Sequence, residues 1–446
     1  MIATKGRYFL KYYPQHMILL SLIISIGLGT LLLGLPISRT QYIPLIDLFF
    51  TSASLTTVTG LMTVPINHFT HFGHGIMLCL MQLGGIGLMT LSLVFIYKFS
   101  NLGIYTQVIA SEVLSLKSFK DTKYILFFII KLTILTEFLG AILIFPTMYQ
   151  IYPLNKAIFL SIFHSVSSFC NAGFSLFPDG MMQYSHNPLM IFTTMLLMII
   201  GGLGFVTWHE LSKKFLYRKS MPLGMSWHTK IVLRMYLFTS IMFSVLFWLI
   251  ERNHSLAAMP FFQKLYVVLF TGIAMKSTGF AIISFTTLQM ATLVLCMVSM
   301  FIGSAPLSTG SGIKTSVFAI YLAVIKAAIQ GKRQALLYGR QIVDDQVYKA
   351  MAILVLSLSW IVIITFGLLI TEPNWQFIDI LFGTVAAFCN NGTFIRAAEL
   401  LTTLGKCFII LSMIIGRIGA LALILSMKRI SEQREISYPK EHVILG

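Results

Sequence analysis

Four short polar stretches, each running into a glycine, place the strongest constraint on how this chain can fold. The glycines are Gly60, Gly173, Gly279 and Gly392, and successive ones are 113, 106 and 113 residues apart. Near-equal spacing over four copies indicates an internal repeat. The stretches are Thr57-Val58-Thr59-Gly60, Cys170-Asn171-Ala172-Gly173, Lys276-Ser277-Thr278-Gly279 and Cys389-Asn390-Asn391-Gly392. The spacing predicts four similar units in series, with the four stretches meeting on one axis.

The composition excludes a soluble fold. Of 446 residues, 57% are hydrophobic and 11% are charged, whereas soluble domains average about 25% charged residues. Several apolar runs exceed the ~20 residues that cross a bilayer as a helix. The first such run, near residues 16–35, lacks a small-residue cleavage site and predicts a span rather than a cleaved signal. The lipid bilayer is therefore an expected partner, and the five cysteines predict neither a disulfide framework nor a metal site.

Each unit reads as a span, a short apolar segment, a polar stretch and a second span. The short segments hold about 13–16 residues, too few to cross a membrane as a helix. The sequence therefore predicts an all-α polytopic membrane protein with eight full spans and four re-entrant hairpins. The predicted divisions are 1–98, 99–211, 212–330 with a broken second helix, and 331–427, followed by a C-terminal tail at 428–446. The second spans are predicted over 73–97, 187–210, 286–328 and 402–427.

A glycine patch recurs in every predicted second span. Gly84, Gly201, Gly303 and Gly416 follow the glycines of the four stretches by 24, 28, 24 and 24 residues. Small residues let membrane helices pack closely, which accounts for the individual glycines but not for their common offset. The offset supports the repeat.

The basic residues predict the orientation. Of the 32 Lys and Arg residues, 22 lie in the two tails and in the loops between units. Since basic residues concentrate on the cytoplasmic side, both termini are predicted to be cytoplasmic, in a protein of the cell membrane. This pattern also accounts for the formal charge of +17, so no nucleic-acid partner is expected.

The polar stretches have the chemistry of a cation pathway. Non-helical backbone at membrane depth survives only where protein or a water-filled cavity surrounds it, so four such stretches imply a shared cavity. Rings of backbone carbonyls can replace the hydration shell of a cation, and glycine permits the backbone angles that this requires. The two acidic residues of the short segments, Asp47 and Asp379, lie away from the glycines. The stretches therefore predict a site for a monovalent cation at the four glycines.

A second feature interrupts the longest apolar segment, in the third unit. Glycine costs about 1 kcal/mol and proline about 3 kcal/mol in a helix interior, so this stretch cannot be a continuous helix. It is either a break that packs against its neighbours or a mobile loop that closes the pathway below the glycines. Its residues are Gly303, Ser304, Ala305, Pro306, Leu307, Ser308, Thr309, Gly310, Ser311 and Gly312.

One arginine, Arg417, lies inside an apolar helix, where charges usually face the bundle interior or a water-filled cavity. It either pairs with Glu137 or with backbone carbonyls, or forms a positive barrier beneath the glycines. Nearby Lys314 is expected to extend to the cytosol.

Other function classes fit less well. A polytopic membrane enzyme would need a nucleophile and a base, but the nearest pair, His164 and Ser165, are sequence neighbours and do not face each other on a helix. Inverted repeats, common in carriers, are not expected because each unit begins and ends on the cytoplasmic side. With no Gly-rich or Walker motif for a nucleotide, no cofactor is expected on this chain.

The sequence resembles the Trk/Ktr/HKT superfamily of potassium transporters, most closely the KtrB-type membrane subunits of bacterial Ktr potassium uptake systems. The resemblance covers essentially the whole chain and rests on residues 47–61, 163–174, 300–315 and 416–419. It implies potassium uptake through a selectivity filter formed by the four stretches, an intramembrane gating loop at 303–312, and a barrier role for Arg417. It also implies a homodimer on a cytosolic ring of nucleotide-binding regulatory subunits (KtrA-like), so that any nucleotide would act through this partner.

The sequence departs from the superfamily pattern in the third and fourth stretches. Lys276-Ser277-Thr278 stands where Arg-Thr-Ala is common, and Cys389-Asn390-Asn391-Gly392-Thr393 stands where a sequence like Thr-Val-Gly-Leu is common. In the short segment before the fourth stretch, Gly383 stands where an acidic residue is frequent. Four filter glycines accompany potassium selectivity in the superfamily, whereas serine in the first loop accompanies sodium preference. A sodium-selective or poorly selective transporter of the same fold is the alternative, and sodium dependence stays open.

Overall fold

A computed structural model of the chain describes residues 14–87, 120–216 and 225–419. Within these residues, a first helix, a short helix and a second helix follow one another four times. Unit one has α1 (Pro14–Gly34), α2 (Leu45–Thr57) and α3 (His71–Gln82); unit two has α4 (Lys120–Tyr149), α5 (Leu154–Phe169) and α6 (Pro188–Gly202), followed by α7 (Phe205–Leu216). Unit three has α8 (Trp227–Glu251), α9 (Phe261–Ala274) and α10 (Met290–Ile302), followed by α11 (Thr315–Ile329); unit four has α12 (Asp344–Thr371), α13 (Phe377–Phe388) and α14 (Thr403–Ile418). Between α11 and α12, β1 (Leu336–Leu337) and β2 (Arg340–Gln341) form a small antiparallel hairpin.

The short helices have sharp ends. Pro44, Pro153 and Pro260 precede α2, α5 and α9, and a proline ring fixes φ and supplies no N–H to a preceding turn. At the other end, α2 gives way to Val58, which has a left-handed φ of 58°. Asn171, with φ 56°, lies at the matching place after α5. Each short helix therefore stops where its polar stretch begins.

The units close into a ring through a repeated contact. The second helix of each unit packs against the short helix of the next: α3 on α5, α6 on α9, α10 on α13, and α14 back on α2. Each first helix also packs on the short helix of its own unit. The four short helices are consequently enclosed, and their last turns are buried.

Fewer helices cross as single spans than the sequence predicted. In the described residues, three helices are long and apolar enough to span a membrane alone, over Phe127–Tyr149, Trp227–Glu251 and Asp344–Thr371. A fourth span exists if the bent pair α6 and α7 counts as one, but the two helices differ in direction by 99°. The second span predicted over 187–210 is therefore not one continuous helix but two helices with a sharp bend between them.

The glycine patches explain these interruptions. Helix α3 changes to a π-helical turn at Leu83–Gly87, and α6 ends before Gly204, whose φ is 84°. Helix α10 stops at Gly303, with φ 58°, which confirms the predicted break in the third unit. Helix α14 stops at Gly419, with φ 89°. A positive φ is accessible to glycine but strains other residues, so the patch that marks the repeat also ends or distorts each second helix.

Some predictions lie outside the described residues. These are the N-terminal tail before residue 14, the first unit's second span beyond residue 87, the fourth unit's second span beyond residue 419, and the C-terminal tail at 428–446.

Candidate functional site

The four glycines of the polar stretches meet in one closed ring. A Cβ placed on Gly60 would lie 2.5 Å from the Ala172 carbonyl oxygen, 3.0 Å from Gly392 Cα and 3.3 Å from Gly173 Cα. A Cβ on Gly173 would overlap the carbonyl oxygen of Thr278, and one on Gly279 would lie 2.7 Å from Gly392 Cα. Each glycine thus contacts the next stretch, and no side chain fits at this layer.

Three of the four stretches have the same backbone. The N–H before the glycine donates to a carbonyl five residues earlier in stretches one, two and four: Thr59 to Ser54, Ala172 to Ser167, and Asn391 to Ala386, each at 2.8 Å. In stretch three, both Thr278 N and Gly279 N donate to the Ala274 oxygen, each at 3.0 Å. The fourth stretch is therefore atypical in sequence but follows the same backbone path as the first two, whereas the third departs in both.

Asparagine side chains join neighbouring stretches. Asn390 Nδ2 donates to Thr59 Oγ1 at 2.8 Å, which links stretch four to stretch one. Asn391 Nδ2 donates to the carbonyl oxygens of Ala274 and Met275 at 3.3 and 3.2 Å, which links it to stretch three. Asn171 Oδ1 accepts from Thr278 Oγ1 at 2.7 Å, which links stretches two and three. These amides hold the ring together.

Two of the predicted site residues make their polar contacts outside the ring. The ammonium of Lys276, fully buried, donates to the Tyr236 carbonyl oxygen at 2.8 Å and to Thr239 Oγ1 at 2.7 Å, both on α8. It also lies 4.0 Å from the centroid of the Tyr236 ring. The thiol of Cys170 contacts Gln82 Oε1 at 3.6 Å on α3. Only the backbones of these two residues belong to the ring.

Glycines of the second helices allow those helices to touch the ends of the short helices. A Cβ at Gly84 would overlap the carbonyl oxygen of Thr56, one at Gly201 that of Phe169, and one at Gly416 that of Phe388. The same contact in units one, two and four gives a physical reason for the near-constant offset between the patches and the polar stretches.

The broken segment, residues 303–314, packs directly on stretches two and three. Thr309 Oγ1 donates to the Phe169 carbonyl oxygen at 3.1 Å and accepts from Asn171 Nδ2 at 2.8 Å. Ser304 Oγ donates to Ser277 Oγ at 3.0 Å. On its other side, the Ala305 N–H donates to the Gly202 carbonyl at 3.0 Å. The broken segment therefore has a defined, buried conformation beneath the ring.

Arg417 binds backbone carbonyls, one of the two pairings that the sequence left open. Its Nη1 donates to the Thr309 carbonyl oxygen at 2.6 Å and to Ser311 Oγ at 3.0 Å, and its Nη2 donates to the Gly84 carbonyl oxygen at 2.6 Å. The alternative partner, Glu137, instead accepts from Gln82 Nε2 at 3.2 Å. Arg417 thus ties the broken segment to helices of units one and four.

Two charged residues have partners that the sequence does not predict. Lys314 was expected to extend to the cytosol, but its Nζ donates to the Gly310 carbonyl oxygen at 2.7 Å within the broken segment. Lys406 on α14 pairs with Asp47 on α2 at 2.6 Å, and both side chains are nearly buried. A charged residue in an apolar segment indicates that a partner must exist, but the neighbouring sequence does not indicate which residue that partner is.

The surroundings of Gly383 and the partners of His164 and Ser165 can now be described. The Phe394 ring occupies the space beside Gly383, where a Cβ would lie 2.5 Å from the ring, so an acidic side chain has no room there.

His164 Nε2 lies 3.0 Å from Thr194 Oγ1, whereas Ser165 Oγ donates to the backbone carbonyl oxygen of Glu137 at 2.6 Å. His164 and Ser165 are thus not a nucleophile–base pair, and the described residues contain no group of three or more metal-ligating side chains.

Comparison with known proteins agrees with this architecture. The TrkH family, described as a cation transport protein, matches residues 20–438. The Ktr system potassium uptake protein B of Bacillus subtilis (strain 168) is 31% identical over 442 residues, 98% of this chain and 98% of that protein. The protein of the same name from Vibrio alginolyticus is 32% identical over 439 residues, 97% and 94% of the two chains. Potassium/sodium uptake protein NtpJ of Enterococcus hirae is 30% identical over 457 residues and covers all of both chains.

A solved structure shows the same fold. The crystal structure of the potassium transporter TrkH from Vibrio parahaemolyticus superposes with a TM-score of 0.72 at 18% identity, covering 93% of this chain and 84% of that one. This confirms the predicted class of an all-α polytopic membrane protein. The chain is a multi-pass membrane transporter rather than an enzyme, and it belongs to the TrkH family of cation transport proteins.

Proposed function

We propose that this chain is the ion-conducting subunit of a potassium uptake system, with its selectivity filter at the ring of Gly60, Gly173, Gly279 and Gly392. The observation that carries the proposal is the closed contact of these four glycines, each against the backbone of the next stretch. The filter comprises the four polar stretches, and the transported potassium ion is bound at the glycines.

The residues at the ring suit a dehydrated monovalent cation. The carbonyl oxygens of Thr59, Ala172 and Thr278 lie beside neighbouring glycines, and carbonyl dipoles can substitute for the hydration shell of a cation. The short helices direct their C-terminal, partially negative ends toward the ring. The carboxylate of Asp47 lies in the first turn of its helix and is neutralised by Lys406. A site with dipoles and little formal charge favours a monovalent over a divalent ion.

The first ten residues of the broken segment, 303–312, are the proposed gate. They lie against stretches two and three, and Arg417 holds them from the side. The guanidinium places a positive charge beside the path of a cation leaving the ring, and the Lys314 ammonium adds a second. Conduction then requires the broken segment and its cations to move.

The assembly extends the proposal. Two named relatives are Ktr system potassium uptake proteins, which supports a membrane subunit that works with other components. We propose a homodimer in the cell membrane with both termini cytoplasmic. A cytosolic ring of nucleotide-binding regulatory subunits would dock on the basic loops and tail, and any nucleotide would act there. Four repeats, divided at 1–98, 99–211, 212–330 and 331–427, surround a pseudo-fourfold pore.

A sodium-selective or poorly selective transporter is the second candidate. One relative is named a potassium/sodium uptake protein, and the third stretch departs from the backbone of the other three. An altered quarter of the filter would change ion coordination on one side only. Sodium dependence is a separate property, which ⁸⁶Rb⁺ flux measured with and without sodium tests.

The test is the flux of ⁸⁶Rb⁺ and ²²Na⁺ in proteoliposomes that contain the full chain, with Gly279→Ser as the variant. Gly279 has φ 78°, and its Cβ would clash with Gly392, so serine there should alter selectivity or abolish flux. Rubidium flux well above sodium flux supports the proposal. Equal fluxes favour the second candidate.

The matched control is Gly180→Ser. Gly180 also has a positive φ, 58°, but open space surrounds its Cβ position. It carries a similar backbone strain without the ring contact, so it should keep wild-type flux and selectivity. If Gly279→Ser behaves like Gly180→Ser, the filter assignment fails.

A further inference from the structure

In the part of the chain that the structure describes, Asn171 is the one filter asparagine whose side chain is hydrogen-bonded to the broken segment. Its Nδ2 donates to Thr309 Oγ1 at 2.8 Å, and its Oδ1 accepts from Ser277 Oγ at 3.0 Å and from Thr278 Oγ1 at 2.7 Å. The side chain is almost fully buried, with 2% exposure. One amide therefore contacts the second stretch, the third stretch and the broken segment together.

These contacts belong to a continuous chain of hydrogen bonds. Ser304 Oγ donates to Ser277 Oγ, Ser277 Oγ donates to Asn171 Oδ1, and Asn171 Nδ2 donates to Thr309 Oγ1. Thr309 Oγ1 in turn donates to the carbonyl oxygen of Phe169, at the last turn of α5. The chain leaves the broken segment at Ser304, crosses two filter stretches and returns to the segment at Thr309.

Displacement of the broken segment must break this chain at three points, namely Ser304 to Ser277, Asn171 to Thr309, and Thr309 to the Phe169 carbonyl oxygen. All four side chains are buried, so a donor or acceptor that loses its partner is destabilised until it finds a new one. Asn171 would then rotate or find a new partner, and Ser277 and Thr278 would lose the acceptor that fixes stretch three. Buried polar networks respond as a unit for this reason.

We propose that Asn171 is a positioning residue that couples ion selectivity to the conformation of the broken segment. The segment in its present position holds stretches two and three in their ring geometry through Asn171, and its displacement loosens both stretches. Opening and selectivity are then linked properties. The proposal rests on the proposed function, since it takes the ring as the filter and residues 303–312 as the gate.

Asn390 provides a matched control in the fourth stretch. It stands two residues before its glycine, as Asn171 does, has a similar φ (50° against 56°), and is equally buried. Its Nδ2 donates to Thr59 Oγ1 and to the Met413 carbonyl oxygen, and no hydrogen bond found in the described residues joins it to the broken segment. Replacing Asn390 with alanine therefore introduces the same backbone strain and removes a similarly buried side chain, but it breaks no hydrogen bond to the broken segment.

The experiment is a double-mutant cycle on Asn171→Ala and Thr309→Val, measured as the ⁸⁶Rb⁺ to ²²Na⁺ flux ratio in proteoliposomes with the full chain. We expect each single variant to lower the ratio about threefold to tenfold, which lies within the range of coupling energies of contacting groups, and the double variant to be no worse than the more severe single one. Thr309→Ser, which keeps the hydroxyl, should restore the ratio. The cycle of Asn390→Ala with Thr309→Val should be multiplicative.

Each other outcome overturns a stated claim. Multiplicative effects in the Asn171 cycle, or equal coupling of Thr309 to Asn390, overturn the coupling while leaving the filter assignment intact. A Thr309→Ser variant as impaired as Thr309→Val overturns the role of the hydroxyl. Absence of cation flux in the wild type overturns the proposed function, and this inference with it. Size-exclusion profiles in detergent show which variants are folded. If Asn171→Ala does not fold, the comparison of Thr309→Val, which is nearly isosteric, with Thr309→Ser still tests the role of the hydroxyl.

Discussion

Arg417 Nη1 lies 2.6 Å from the carbonyl oxygen of Thr309, which joins the last turn of the fourth unit's second helix to the broken segment of the third unit. The other guanidinium nitrogen, Nη2, lies 2.6 Å from the carbonyl oxygen of Gly84 in the first unit. Hydrogen bonds from a charged donor are roughly twice as strong as neutral ones. One side chain thus holds three units together at the level of the proposed gate.

Replacing this arginine should increase cation flux. Arg417→Ala removes the hydrogen bond to the Thr309 carbonyl oxygen in the broken segment and the one to the Gly84 carbonyl oxygen in the first unit. Hydrogen bonds to charged groups contribute about 1.5–3 kcal/mol each to stability. It also removes a positive charge from the cation path. We expect ⁸⁶Rb⁺ flux in proteoliposomes to rise about tenfold or more.

The control for charge is Arg396→Ala. Arg396 is half-buried in the loop that follows the fourth stretch, where it donates to the Asn374 carbonyl oxygen and lies over the Trp375 ring. Its removal lowers the net charge by the same amount and should leave flux within about twofold of wild type. Arg417→Ala flux that matches that of Arg396→Ala would show that Arg417 is structural and not a barrier.

The glycine contact behind the ring predicts a second sensitive position. Gly416 on α14 touches the carbonyl of Phe388 at the end of α13 so closely that a Cβ would overlap it. Gly416→Ala should push α14 away from the fourth stretch, with a loss of about 1–3 kcal/mol typical of overpacking. A lower melting temperature in detergent and reduced rubidium selectivity should appear together.

Gly27→Ala is the matched substitution for that test. Gly27 is also in a helix, α1, but no atom lies within 4 Å of its Cβ position. Since alanine is favoured over glycine in a helix interior by about 1 kcal/mol, this variant should be as stable as wild type or slightly more so. Loss of stability in both variants would mean that helix glycines act through flexibility and not through this contact.

The sequence was most informative where the backbone imposes a residue type. The ring glycines and the break at Gly303 were predictable because positive φ and close backbone approach select glycine, and a fourfold spacing distinguishes such positions from ordinary packing glycines. The same rule, applied to Gly204 and Gly419, would have revealed the interruptions of the other second helices. By composition alone, the glycine patches that contain these two residues indicate close packing within continuous spans, since a single glycine in an apolar helix is usually tolerated.

Side-chain partners were beyond sequence reasoning. Asn171 and Thr309 are 138 residues apart, and Ser277 and Asn171 are 106 apart, so no local pattern connects them. Lys276 looked like a filter residue because of its position, but Tyr236 and Thr239 bind its ammonium against α8. The direction of a side chain depends on which helix lies behind it, and the closed packing of the four units decides that.

The buried ion pair between Lys406 and Asp47 offers a stability prediction at the contact of the fourth and first units. Their side chains are 11% and 8% exposed, and Nζ lies 2.6 Å from Oδ1. Lys406→Met leaves the Asp47 carboxylate without its partner, and breaking a buried pair in this way costs about 3–5 kcal/mol. We expect a melting temperature in detergent several degrees below wild type, because α14 and α2 pack directly on each other.

Two comparisons separate the pair from a general effect of lost charge. The variant that carries both Asp47→Leu and Lys406→Met removes both charges and should recover much of the stability, since well-packed apolar replacements of a buried pair are often neutral. Lys349→Met breaks the exposed pair with Asp345, at 2.8 Å on α12, where pairs four residues apart contribute about 0.3–0.5 kcal/mol. On the electrostatic explanation, the double variant should be more stable than Lys406→Met, because it no longer contains an unpaired buried carboxylate. A double variant less stable than Lys406→Met alone would contradict this explanation. It would indicate that each side chain stabilises the contact by packing.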